Sequence, residues 1–173
     1  MHPDDPFPPY TYVPGGPWPH PISGPGGHLA DAPRDPAEPI EADAWHRSPA
    51  YLRGVRLYNA GYYWEAHEAW ESLWHAHGRR GPTADVLKAL IKLAAAGVKV
   101  RQGQPRGVST LALRAAEHLE GVVALGLPRL LGLDLAALAA LARLLAADPP
   151  PAPADPRPVV PRLLGPPLVP HDE

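Results

Sequence analysis

There is no cysteine among the 173 residues, which removes disulfides, thiolate zinc sites and cysteine nucleophiles from consideration. No apolar run approaches the roughly 18 residues of a membrane span without a charge or helix breaker interrupting it. The opening Met1-His2-Pro3-Asp4-Asp5 carries neither a basic nor an apolar segment, so it does not read as a secretory signal. A cytoplasmic location without membrane contact is the expectation. The net charge of −2 is far from the strongly basic balance of nucleic-acid binders, and no nucleic-acid partner is expected. There is no internal repeat.

Proline is abundant, but scarce where it matters. Of 26 prolines, 12 lie in residues 1–44 and 10 in 148–173, leaving four between. Proline fixes φ and removes a backbone donor, so the ends cannot form helices. Charge divides at the same borders: residues 45–147 carry 13 Lys and Arg against 7 Asp and Glu, whereas residues 1–44 carry one Arg against seven acids. The expected organisation is an irregular or disordered proline-rich arm over 1–43, an all-α domain over 44–147 and a proline-rich tail over 148–173. The arms are expected to stay outside the core and to be dispensable for folding. Phe7, Tyr10, Tyr12 and Trp18 are unusual in a plain linker, however. They leave open that the N-terminal arm lies over an apolar groove of the domain.

Within the middle, apolar periodicity predicts about five helices in a small compact bundle. The first spans 50–59 after Pro49 and ends at Gly61. The second covers 62–77 and stops at Gly78-Arg79-Arg80-Gly81-Pro82. Thr83 is the expected N-cap of the third, which carries Leu87, Leu90, Ile91, Ala94 and Val98 to about Gly103. A fourth covers 108–124, a short piece 129–131 follows Pro128, and a Leu/Ala-rich helix covers 133–147.

The second helix is the informative one. It holds three tryptophans, three carboxylates and three histidines within residues 62–77. A helical wheel centres its apolar face on Tyr62, Ala66, Ala69 and Leu73, with Tyr63, Trp70 and Trp74 beside it as structural residues. His67, Glu71 and His75 form a polar ridge at i, i+4 and i+8, with Trp64 closing it. Glu65 and Glu68 are expected to point toward the opposite border. His67 and Glu71 are one turn apart, so both can reach one divalent metal ion or one substrate proton. The alternative is a satisfied structural pair. His67-Glu68 opens like a zinc-protease motif, but Glu71 stands where the second histidine is needed, and that reading fails. Lys88, Lys92 and Lys99 stripe the third helix, and Arg114 and His118 lie one turn apart on the fourth. Side-by-side packing of these helices would let His67, Glu71, Lys92, Arg114 and His118 converge.

The run Tyr58-Asn59-Ala60-Gly61-Tyr62-Tyr63-Trp64-Glu65-Ala66-His67-Glu68-Ala69-Trp70-Glu71-Ser72-Leu73-Trp74 resembles the bacterial and archaeal family known as domain of unknown function 309. Leu87 to Lys99, then Gly103 and Gly107, extend the likeness to about Leu119. The resemblance implies a small all-helical protein without an agreed activity, and its motif falls on Glu65, His67, Glu68, Trp70, Glu71 and Trp74. Lys92 stands where members often have Gln. The proline-rich arms are outside the pattern.

Three functions stay open. The first is a small-ligand or metal-binding domain using Trp64, His67, Glu68, Glu71, Lys92, Arg114 and His118, with His67 and Glu71 as metal ligands. The second is a protein-interaction module whose aromatic groove takes a proline-rich or helical peptide. The third is a metal-assisted or acid–base hydrolytic enzyme, for which no nucleophile or phosphate loop accompanies the His/Glu pair. A homo-oligomer is compatible with each.

Overall fold

Ser48 accepts a hydrogen bond from the Tyr51 amide and Pro49 takes the first helical position, so helix α1 begins at Pro49 and runs to Asn59. Gly61, at φ +90, turns the chain into α2, Tyr63–Ala76. Three further helices follow: α3 over Pro82–Arg101, α4 over Pro105–Ala124 and α5 over Leu135–Ala147. A short 3-10 helix, Ala42–Arg47, precedes them. The computed structural model describes residues 5–31 and 37–171.

The short piece after Pro128 is the first strand of a small hairpin. β1 (Arg129–Leu130) pairs antiparallel with β2 (Leu133–Asp134). Asp134 then caps α5 by accepting from the Ala137 amide. The start of α3 departs from expectation. Gly81 is its N-cap, with no side-chain hydrogen bond, and Pro82 opens the helix ahead of Thr83. At the first helical position proline loses only an N–H that has no intrahelical partner, and its ring presets φ for the first turn.

α1 packs on α2, α2 on α3, α3 on α4 and α4 on α5, an all-α bundle in which sequence neighbours are spatial neighbours. α3 lies between α2 and α4. It is buried on most of its circumference, with Leu87, Leu90, Leu93 and Ala94 fully enclosed. Glycine sets two of the closest approaches. A Cβ at Gly54 would lie within the Trp70 indole, and one at Gly97 within the Tyr63 ring. Trp70 and Tyr63 can therefore lie flat on the backbones of α1 and α3. The Trp70 indole N–H also donates to the Tyr51 carbonyl at 3.3 Å.

The arms share this core, contrary to what their proline content suggests. Ile40 from the N-terminal side, and Leu164 and Leu168 from the tail, belong to the same buried cluster as Trp70 and Leu90. Proline prevents helix formation but not burial of the residues between prolines. The tail is also held by its backbone. Asn59 donates to the Leu168 carbonyl and accepts from its amide, both at 2.8 Å, and the Leu163 amide donates to the Tyr63 hydroxyl at 3.0 Å. No described helix is long and apolar enough to cross a membrane.

Candidate functional site

Buried Arg53 and half-buried Arg56, one turn apart on α1, point toward the N-terminal arm. Arg53 donates to the main-chain carbonyls of Asp5 and Pro6, the latter at 2.7 Å, and Arg56 donates to the Asp5 carbonyl at 2.8 Å. Phe7 comes next. Its ring stacks on Tyr62, with centroids 5.0 Å apart and planes within 7°, and the Arg56 guanidinium lies 4.5 Å from its centroid. An aromatic pair of this kind contributes about 0.5–1.5 kcal/mol beyond area burial.

Glu65 holds the following stretch. Its side chain is 3% exposed, and its two oxygens accept from the Thr11 hydroxyl at 2.8 Å and the Tyr12 amide at 2.9 Å. The His28 Nε2 atom lies 3.5 Å away. Burial pushes the Glu65 carboxyl up to about 7, with the bonds from Tyr12 and Thr11 and the charge of Arg101 opposing the rise. Tyr12 and His20 both meet Trp64 edge-on at 5.5 Å. At the far end the Gln102 side chain donates to the Pro14 carbonyl at 3.0 Å. The arm thus starts on α1, crosses the first turn of α2 and reaches the end of α3.

The arm also has a centre of its own. Tyr10 stacks on Trp18, meets the His28 ring edge-on at 4.5 Å and donates to the Pro19 carbonyl at 3.0 Å. Tyr10, Thr11 and Val13 are all buried. Residues 5–31 carry no helix or strand, yet they make a defined set of contacts.

The residues singled out from the sequence fall into two groups. His67, Glu68 and Glu71 come together on α2, with ligand atoms within 4.8 Å of one another. Glu68 belongs with the ridge rather than the opposite border, because His67 Nδ1 lies 3.4 Å from its carboxylate. Glu65 is the carboxylate that turns away and is buried. On the other face, His118 pairs with Asp85 at 3.5 Å and Arg114 with Glu117 at 2.9 Å. The Lys92 ammonium is lowered by burial and by Lys88 and Arg114, with Glu117 opposing. Lys92, Arg114 and His118 thus have residues of α3 and α4 as neighbours, and among the described residues no ion pair joins them to His67 or Glu71. Trp64, expected to wall a pocket, has the arm against it. Trp70 is fully buried, whereas Trp74 is half-buried, with Lys88 Nζ 3.7 Å and the Arg79 guanidinium 5.2 Å from its ring. A surface depression of about 380 Å³ lies between α4 and α5, and no α2 residue lines it.

Sequence reasoning missed Arg53, Arg56, Tyr62 and Glu65 as site residues. The partners of Arg53, Arg56 and Glu65 lie 47–54 positions away in the chain and Tyr62 meets Phe7, in a segment without periodicity. The dense aromatics of the arm were the available signal.

Residues 51–111 match the family model described as Domain of unknown function (DUF309). That segment belongs to DUF309. No curated protein matches the sequence. The DUF309 segment contains Arg53, Arg56, Tyr62, Trp64 and Glu65, and the arm they hold lies wholly outside it.

Proposed function

We propose that this DUF309 domain is a recognition module for extended, proline- and aromatic-rich polypeptide, and that the chain's own N-terminal arm occupies the groove in cis. The observation that carries the reading is main-chain capture at both ends of one segment. Arginines of α1 donate to the Asp5 and Pro6 carbonyls, and Glu65 accepts from the Tyr12 amide. Carbonyl capture suits proline-rich chain, which keeps its acceptors but lacks N–H donors, and aromatic walls then select side chains between the fixed points. Tyr62 receives Phe7 and Trp64 receives Tyr12. Every protein group in this capture lies within residues 51–111, while the occupant lies outside. Groove and ligand are therefore separable parts.

A cis ligand competes with any external one at a high effective concentration, of order millimolar for a short tether. The test uses a fluorescent synthetic peptide of residues 5–20 titrated into the full chain and into its Phe7→Ala variant, read by anisotropy. The variant should bind the peptide more tightly than the parent, because its own arm competes less well. Adding Glu65→Ala to the variant should abolish the binding. Absence of peptide binding to both proteins, or binding indifferent to Glu65, would reject the module.

A further inference from the structure

One turn beyond the arm's anchor, α2 carries an arrangement that the arm does not use. His67, Glu68 and Glu71 are all half-buried and bring one imidazole nitrogen and two carboxylate oxygens within 4.8 Å of one another. The hydrogen bonds around them are the informative feature. His67 Nδ1 is sealed from solvent and has no hydrogen-bond partner among the described residues. The Glu68 carboxylate lies 3.4 Å from it without hydrogen-bond geometry. Among the described residues Glu71 makes no hydrogen bond or ion pair, and neither glutamate meets a lysine or arginine.

That differs from three other acids of the surface. Glu117 pairs with Arg114, Glu120 with Arg143 and Asp155 with Arg157. Two carboxylates three positions apart on a helix repel by about 0.2–0.5 kcal/mol when nothing lies between them. A buried nitrogen without a partner adds its own desolvation cost. A cation placed among the three groups removes both penalties at once.

We infer that His67, Glu68 and Glu71 form a binding site for a divalent cation of zinc type, with the imidazole Nδ1 and one oxygen of each carboxylate as ligands. Nitrogen–oxygen donor sets with one imidazole suit Zn²⁺, whose bonds to both atom types are about 2.0–2.2 Å. Two ligands on neighbouring corners of such a tetrahedron lie roughly 3.4 Å apart, and His67 Nδ1 lies 3.4 Å from the Glu68 carboxylate. Rotation of the Glu71 side chain brings in the third ligand. The fourth position faces solvent and takes water, the arrangement of an open rather than a closed zinc site. The site stands apart from the recognition groove, since none of its three residues touches the arm through a hydrogen bond or ion pair among the described residues.

Calorimetric titration of the metal-free full chain with Zn²⁺ at neutral pH tests the site, with Co²⁺ absorption as a second readout of four-coordinate geometry. One equivalent should bind, and His67→Gln, Glu68→Gln and Glu71→Gln should each weaken it by at least about tenfold. All three side chains are half-exposed, and circular dichroism of each variant confirms folding before titration. His75→Gln is the control, because the His75 ring already bonds to Arg79 at 3.1 Å and is expected to leave binding unchanged. Absence of binding, binding unaffected by the three variants, or binding lost with His75→Gln would each overturn the site.

Discussion

Glu65→Ala should release the arm without unfolding the domain. In the parent the two carboxylate oxygens accept from Thr11 and Tyr12 at 2.8 and 2.9 Å, and the side chain is 3% exposed. Removing the carboxylate with the arm still docked leaves a hydroxyl and an amide without acceptors, at about 1–3 kcal/mol each. The arm escapes that cost by opening to water, so the loss is limited by whatever free energy holds the arm. A fall of about 2–4 kcal/mol in the opening free energy follows, or roughly 30-fold or more in opening equilibrium. Native-state hydrogen exchange reads it at Gly16 and Leu29, whose amides bond to Val13 and Pro21 within the arm and do not touch Glu65. Both should exchange faster while amides of α3 stay protected. Unchanged exchange at Gly16 and Leu29, or an equal loss in α3, would refute the reasoning.

The same residue gives a pH signature. The Glu65 carboxyl is pushed up by burial from 4.5 to about 7. Its contribution to docking is therefore fully present below 4.5 and lost as pH rises through about 7. His28, facing it, is lowered by burial from 6.5. Its contribution is present above 6.5 and lost as pH falls. The two oppose each other in the parent. Glu65→Gln keeps an acceptor for the Tyr12 amide and donates to the Thr11 hydroxyl, but no longer titrates. In that variant the arm's protection, corrected for the intrinsic exchange rate at each pH, should decline as pH falls below 6.5, more steeply than in the parent.

Trp70→Ala should cost about 3–5 kcal/mol in a denaturant titration, the range for a large enclosed aromatic. Trp74→Ala should cost less, about 1–2 kcal/mol, since a half-buried ring gives up partial packing and the cation–π contacts of Lys88 and Arg79. Equal losses would contradict the burial difference. A chain shortened to residues 44–147 should melt at lower temperature than the full chain in calorimetry, because Ile40, Leu164 and Leu168 leave the buried cluster. Equal melting temperatures would show that the arms contribute nothing to stability.

Local pattern made the helices legible, and long-range contact hid the groove. The spacing of Tyr63, Trp70 and Leu73 on α2 reports a buried face, and all three are enclosed. Thr83 misled because capping preference ignores a proline one position earlier. Trp74 misled because a wheel cannot tell a core position from the edge where Lys88 arrives. Glu65 was placed on a border by its angle alone. Nothing within a turn of it indicates that Thr11 and Tyr12, more than fifty residues earlier, would cover it. Proline content correctly removed α-helices from the described residues of the ends but did not tell whether Ile40, Leu164 and Leu168 would be buried.

The central claim is that α1 and the first turn of α2 form a groove for extended polypeptide. Nuclear magnetic resonance of the isotope-labelled full chain carrying Phe7→Ala and Thr11→Val, titrated with unlabelled peptide of residues 5–20, tests it most directly. The account predicts saturable shifts concentrated at Arg53, Arg56, Tyr62, Trp64 and Glu65. Shifts confined to the α4–α5 surface around Leu113 and Arg143, or no shifts at all, would contradict it.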